Sequence, residues 1–353
     1  MSGVKPPAIW NADVLGEGFE SITIPLEPDE PEISVATATL VRAKHPSWWR
    51  SSFGIASGID VLYVHGWSDY FFQRHLSEYW RDRGARFFAL DLRRYGRNLT
   101  EQPLSEQLAG YVHSLDSYDE EIEAALSLAG HGRSQKSKRK LVLVGHSTGG
   151  LVLSLWASRN PGRASAIILN SPWLELQTRE IGRLALSPVI GALSKYQPKK
   201  PLPAAEPGFY LRSISDQLDG EWSVNPAWHP ERSFPVFPGW LDAVITGHEQ
   251  VARGLNLSIP VLVLLSAKSF FQPTWDEQMK HCDIVLDVLG VAQRSLNLGT
   301  YATIVRLEGA IHDVFLSEEA VRVRAFDAVD QWLAGTARTM RKGANATAAK
   351  AHY

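Results

Sequence analysis

The chain has 353 residues, 44% of them hydrophobic and 21% charged, with a formal net charge of −2 at neutral pH. That is a globular composition with ample core, so disordered and collagen-like classes are excluded, and without a net basic field nucleic acid is not an expected partner. A single cysteine, Cys282, excludes an intrachain disulfide framework and any multi-cysteine metal site.

No basic start followed by a continuous apolar run opens the chain, and no stretch of eighteen uninterrupted apolar residues occurs in it. A cytoplasmic protein without integral membrane association is the expectation. From the N-terminus, Ser21 to Ile24 and Ile33 to Val41 flank an acidic, proline-rich turn at 27–31, the pattern of a hairpin at a sheet edge. Short apolar runs then alternate with helical patterns. Val61 to Val64 precedes a helix near Phe71 to Arg83; Phe87 to Leu90 precedes one near Ser117 to Leu128; Leu141 to Val144 precedes one over Gly150 to Arg159. Strands at Ala166 to Leu169, Val261 to Leu265 and Tyr301 to Arg306 follow, and a helix near Glu318 to Leu333 closes the series. Alternation of this kind builds a parallel sheet wrapped by helices. The polar, basic stretch 131–140 reads as a solvated loop, and the alanine-rich segment 343–353 as a frayed tail.

The first strand of the alternating series ends in His65-Gly66-Trp67. Glycine lets the backbone turn there, so that the amide N–H of Trp67 can serve as an oxyanion donor; the bland reading is a strand-end turn with His65 packed in the core.

Gly145-His146-Ser147-Thr148-Gly149 follows the apolar run Leu141 to Val144. A serine on so tight a strand-to-helix turn needs small neighbours two positions away, which Gly145 and Gly149 supply, and its hydroxyl then projects from the end of the sheet as a nucleophile. The same turn puts the Thr148 N–H at a helix N-terminus, where it can stabilise a developing oxyanion.

Residues 172–258 are longer than a parallel crossover requires, and their aromatic content, from Trp173 to Trp240, suits a cap laid over the carboxyl edge of the sheet. The helix-capable loop after the next strand carries four acids, Asp276, Glu277, Asp283 and Asp287. Asp283 is preferred as the partner of a catalytic histidine because Asp283-Ile284-Val285-Leu286 couples an acid to an apolar run able to start or anchor a helix; Asp287 is the alternative, and a helix-capping role is open to either. Gly309-Ala310-Ile311-His312-Asp313 lies between the last strand and the last helix. His312 there completes a Ser…Asp…His order, and imidazole, with an ordinary pKa of about 6.5, can take the serine proton and return it to a leaving group.

From about Ile59 to Leu333 these motifs resemble the α/β-hydrolase superfamily, in particular its monoacylglycerol lipase, lysophospholipase and serine aminopeptidase-like branch. Asp91-Leu92-Arg93-Arg94-Tyr95-Gly96-Arg97 is similar to the Asp-x-Arg-Gly-x-Gly loop of that branch, with Arg94 in place of a glycine, and Asp283-Ile284-Val285 looks like the turn that carries its triad acid. The resemblance implies an α/β-hydrolase fold with a mostly parallel eight-stranded sheet flanked by helices and an inserted cap. The expected organisation is an N-terminal segment and hairpin (1–58), a core in two parts (59–171 and 259–336) interrupted by the cap (172–258), and a flexible tail (337–353).

The function expected from these residues is a serine hydrolase acting on carboxylic esters of hydrophobic acyl or aromatic character through an acyl-enzyme. Ser147, Asp283 and His312 are catalytic in that reading, Trp67 and Thr148 form the oxyanion hole, and Gly145, His146, Gly149, His65 and Gly66 support the elbow. No metal or organic cofactor is required, and the expected partner is a small-molecule ester; the sequence does not speak to oligomeric state. Serine at the elbow argues against epoxide or haloalkane chemistry, which uses a carboxylate there. Aminopeptidase or amidase activity, and a non-catalytic ligand-binding protein on the same fold, are the alternatives.

Overall fold

A computed structural model describes residues 9–44, 54–176, 180–203, 207–336 and 340, with the side chains of 180–187 excepted. The expected tail and the link between the hairpin and the next strand lie wholly or largely outside the described residues.

Nine strands form one sheet: β1 (Asn11–Ala12), β2 (Phe19–Leu26), β3 (Ala36–Ala43), β4 (Ile59–Val64), β5 (Arg86–Asp91), β6 (Lys140–His146), β7 (Ala166–Asn170), β8 (Val261–Ser266) and β9 (Ala302–Leu307). Their spatial order is β1-β2-β3-β5-β4-β6-β7-β8-β9. The eight expected strands are joined by two-residue β1, which pairs with β2 at the edge and is too short to register as a sequence pattern. β2 and β3 form the antiparallel hairpin, β3 runs antiparallel to β5, and all pairings from β5 onward are parallel. Strands β4 and β8 are buried along their whole length, as parallel strands covered on both faces must be, which is why Val61 to Val64 and Val261 to Leu265 read as unbroken apolar runs.

Helices α1 (Arg74–Asp82), α2 (Asp119–Ala129), α3 (Thr148–Arg159), α7 (Val288–Ser295) and α8 (Glu319–Thr336) flank the sheet, while α4 (Glu180–Tyr196), α5 (Phe209–Ile214) and α6 (Pro238–Arg253) belong to the connection between β7 and β8. That connection is anchored to the rest of the molecule by polar bonds as well as by packing. The Trp222 indole N–H donates to the Leu316 carbonyl at 2.7 Å, and the Asn225 N–H donates to the Tyr70 hydroxyl at 2.9 Å.

The loop 131–140 is more than the solvated segment its composition suggests. His131 and Arg139 reach back to Asp60 on β4, which Arg86 also binds, and together the three partners hold this buried carboxyl well below the ordinary carboxylate range despite its desolvation. A buried acid on a strand needs such compensation, but its partners come from β5 and from the loop 131–140, and no local pattern announces them.

The left-handed conformation of Arg94 (φ 62°) accounts for the glycine usual at this point in similar loops. Arg94 is kept there by a two-pronged ion pair with Asp29, at 2.7 and 2.8 Å, and by hydrogen bonds to the Tyr111 carbonyl.

Candidate active site

Ser147 sits between β6 and α3 with φ 50° and ψ −118°, a conformation that an L-residue adopts only when its surroundings impose it. The surroundings here are carbonyls and glycines. A Cβ on Gly149 would lie 2.5 Å from the Val64 carbonyl oxygen, and one on Gly145 would lie 2.7 Å from the Gly150 Cα. Both positions therefore require glycine, and their close approach lets α3 start against the end of β4. The Ser147 N–H donates to the Asn170 carbonyl at 3.0 Å, and its own carbonyl accepts from Trp173 at 3.0 Å, so the elbow is fixed from both sides.

His312 brings its imidazole to this hydroxyl. Its Nε2 lies 3.1 Å from Ser147 Oγ and its Nδ1 lies 3.0 Å from Asp283 Oδ2. A carboxylate can only accept, so Nδ1 carries the proton and Nε2 presents its lone pair to the serine. Ser147, His312 and Asp283 are 7%, 3% and 0% exposed, a setting in which a charge-assisted bond is not diluted by water. The Tyr210 ring from α5 stands edge-on to the imidazole, centroids 5.5 Å apart at 80°.

The four acids proposed from sequence separate by geometry. Asp283 alone among them bonds His312; its second oxygen accepts the N–H groups of Val285 and Leu286 at 2.7 and 2.8 Å. Asp276 caps a short 3₁₀ helix at Glu277–His281, Glu277 accepts from the Trp275 indole, and Asp287 caps α7 by accepting from Leu289. Of the two roles open to the run Asp283 to Leu286, starting a helix or anchoring one, it does not take the first: α7 begins at Val288, and Asp283 anchors a turn ahead of it. What returns the loop to the sheet is a bridge: the Asp283 N–H donates to the Lys268 carbonyl at 3.1 Å and its carbonyl accepts from Phe270 at 2.9 Å, beside the end of β8.

On the opposite side, a Cβ on Gly66 would come within 3.0 Å of Ser147 Cβ, so the Gly66–Trp67 peptide borders Ser147. Thr148 is the first residue of α3, where N–H groups lack intrahelical acceptors. His65 does not reach the chemistry. Its Nδ1–H donates to the Gly66 carbonyl at 2.8 Å and its Nε2 accepts from Leu92 at 3.1 Å, tying the ends of β4 and β5 together, and burial lowers its pKa. His146 likewise donates to the Asn170 carbonyl, and burial pushes its pKa down to about 4.

Of the aromatics between Trp173 and Trp240, Tyr210 packs on His312, Phe234 and Trp240 pack on Trp67, and Tyr196 is 76% exposed. Two buried side chains gave no sequence signal: Asn170, whose main-chain carbonyl accepts the Ser147 N–H, and Asp69, an acid two residues beyond Trp67. Among the described residues no group of three or more His, Cys, Asp or Glu is arranged to hold a metal ion, and no helix is long and apolar enough to cross a membrane.

Residues 59–270 match the family described as serine aminopeptidase, S33. The chain belongs to this family. It is an α/β-hydrolase of the monoacylglycerol lipase and lysophospholipase-like branch. A monoacylglycerol lipase of Mycolicibacterium smegmatis is 24% identical over 281 residues, covering 77% of this chain and 87% of that protein. The crystal structure of a monoacylglycerol lipase from Paleococcus ferrophilus is similar at a TM-score of 0.55 and 19% identity, over 80% of this chain and 96% of that one. A soluble variant of the monoglyceride lipase from Saccharomyces cerevisiae, solved with a substrate analog, is similar at a TM-score of 0.57 and 17% identity, over 88% and 96%. These structural likenesses establish the α/β-hydrolase fold.

Proposed function

We propose that this S33-family hydrolase cleaves carboxylic esters of hydrophobic acyl or aromatic character, with Ser147, His312 and Asp283 as its catalytic triad. The observation that carries the reading is the unbroken chain from hydroxyl to imidazole to carboxylate, at 3.1 and 3.0 Å. As Ser147 Oγ attacks the ester carbonyl, its proton passes to His312 Nε2, and Asp283 stabilises the imidazolium so formed. The carbonyl oxygen, now negative, is received by the main-chain N–H groups of Trp67 and Thr148. Collapse of the tetrahedral intermediate returns the proton from His312 to the leaving alkoxide, so an alcohol departs and the acyl group stays on Ser147. Water, deprotonated by the same imidazole, then releases the acid.

In this reading residues 172–258 act as the cap and Tyr210, Trp67, Trp240 and Phe234 supply apolar surface near the reacting centre, which favours hydrophobic acyl or aromatic groups. The names of the similar lipases point the same way. An aminopeptidase would need an acid to receive the substrate amine. In the long connection between β7 and β8, Glu175 is engaged by Arg294 at 2.8 Å, and the side chain of Glu180 lies outside the described residues.

A series of p-nitrophenyl esters of increasing chain length, run beside aminoacyl anilides, tests the substrate class. The expected result is kcat/KM higher for the esters and rising with chain length. Higher kcat/KM for the anilides would assign the site to amide chemistry.

A further inference from the structure

Asn170, the last residue of β7, is fully buried and touches both halves of the candidate site. Its main-chain carbonyl accepts the Ser147 N–H at 3.0 Å and the His146 ring N–H at 3.2 Å. Its carboxamide faces the loop that carries His312: Nδ2 donates to Asp313 Oδ1 at 2.5 Å, and Oδ1 accepts the Val314 N–H at 3.0 Å. Asp313 is 1% exposed and is held further by the Phe315 N–H at 2.9 Å and by Gln73 Nε2 at 3.4 Å.

We propose that Asn170 is a positioning residue for the hydrolysis, spacing the nucleophile from its base by binding the serine elbow through its backbone and the histidine loop through its side chain. This rests on the reading of Ser147 and His312 as nucleophile and base. The two catalytic segments come from widely separated parts of the chain, and Asn170 joins them through one rigid strand end. The side-chain site asks for one donor and one acceptor on a short planar group. Aspartate offers two acceptors and would set a second carboxylate against Asp313; leucine fills the volume and offers neither. Neither change touches Ser147 or His312, so a loss of turnover would come from their relative placement. Misplacement of reacting groups by about 1 Å costs on the order of 10²-fold.

One oxygen, Asp313 Oδ1, accepts from both Asn170 Nδ2 and the Phe315 N–H. In N170D that donor is replaced by an acceptor facing Oδ1, whereas N170S removes the carboxamide without adding a charge, so the two variants break the same link by different means.

The experiment measures kcat and KM on a p-nitrophenyl ester, together with the rate of covalent labelling by a fluorophosphonate, for wild type, N170D, N170S and N170L, each checked for native near-UV circular dichroism. The expected result is a kcat and a labelling rate about 10²-fold lower in N170D and in N170S, with KM within a few-fold of wild type. Should N170L or N170D fail to fold, N170S still decides. Labelling and kcat in folded N170D or N170S equal to wild type would overturn the proposal. Wild-type protein that shows no labelling at Ser147 would instead count against the triad on which it rests.

Discussion

The indole of Trp67 lies against the indole of Trp240, their ring centroids 3.5 Å apart and their planes tilted by 30°. Trp67 belongs to the loop beside Ser147, and Trp240 stands near the start of α6, in the long connection between β7 and β8. Phe234 and Tyr95 meet Trp67 edge-on at 5.8 and 6.0 Å, and a Cβ on Gly110 would collide with its six-membered ring at 2.6 Å. The side chain is thus held by four neighbours while its main-chain N–H is the proposed oxyanion donor.

If the oxyanion loop is set by this enclosure, Trp240→Leu should lower kcat by at least about tenfold, short of the roughly 10²- to 10³-fold loss typical of deleting a donor outright. Trp240→Phe, which keeps an aromatic face, should recover most of it. Steady-state kinetics on a short-chain ester, where the acyl group makes few contacts, provides the check; unchanged kcat in Trp240→Leu would show that the donor is positioned without this contact.

Asp283 and Asp287 should separate cleanly. Asp283→Asn removes the acceptor that fixes the His312 tautomer and should reduce kcat by about 10⁴-fold. Asp287→Ala removes only the cap of α7 and should cost about 1 kcal/mol of stability with turnover unchanged. Parallel urea titrations and kinetics distinguish them, and a reversal of the two activity effects would move the triad acid.

Four histidines, His65, His75, His146 and His229, are held below their ordinary pKa chiefly by burial, the last three down to about 4. Below about pH 6.5 the unfolded chain takes up protons at these positions while the native protein does not, so stability is complete above about pH 6.5 and declines from there toward about pH 4. Each such imidazole contributes up to about 1.4 kcal/mol per pH unit. His75, which bonds the Phe315 carbonyl at 2.8 Å and stacks on Trp222, lies outside the proposed chemistry. His75→Gln should make the loss of stability between about pH 6.5 and pH 4.5 shallower in urea unfolding; an unchanged slope would mean that this imidazole is protonated in the native state.

Asp69 has the opposite sign. It is 6% exposed, its Oδ1 has no hydrogen-bond partner among the described residues, and burial, with Asp313 and Asp91 nearby, raises its pKa well above the carboxylate range. Between the ordinary value near 3.8 and that raised value the native protein holds a proton that the unfolded chain has released, so this group's stabilisation falls as pH rises. Asp69→Asn should therefore raise Tm at about pH 7.5 more than at about pH 4. An equal change at both values would show that the acid is ionised in the fold.

The sequence was legible where structure is local. The elbow at Ser147 combines an apolar strand, two glycines at which an added Cβ has no room, and a helix start, all within some twenty residues, and β4 to β8 each contain an apolar run of four residues or more. Asp283 was legible as a candidate, but only its 3.0 Å contact with His312 separates it from Asp276 and Asp287, which serve as caps. Long-range polar pairing left no trace at all. Asn170 is one asparagine at a strand end, and its partners Asp313 and Val314 are more than 140 positions away. Arg139 and His131 read as a solvated loop because their acid, Asp60, lies on a strand some seventy residues earlier.

Covalent labelling of the nucleophile tests the central claim most directly. Wild-type protein treated with a fluorophosphonate, then digested and analysed by mass spectrometry, should carry a single adduct on Ser147, and Ser147→Ala should carry none. Equal labelling of both proteins, or no labelling of folded wild type, would contradict a hydroxyl at position 147 activated by His312.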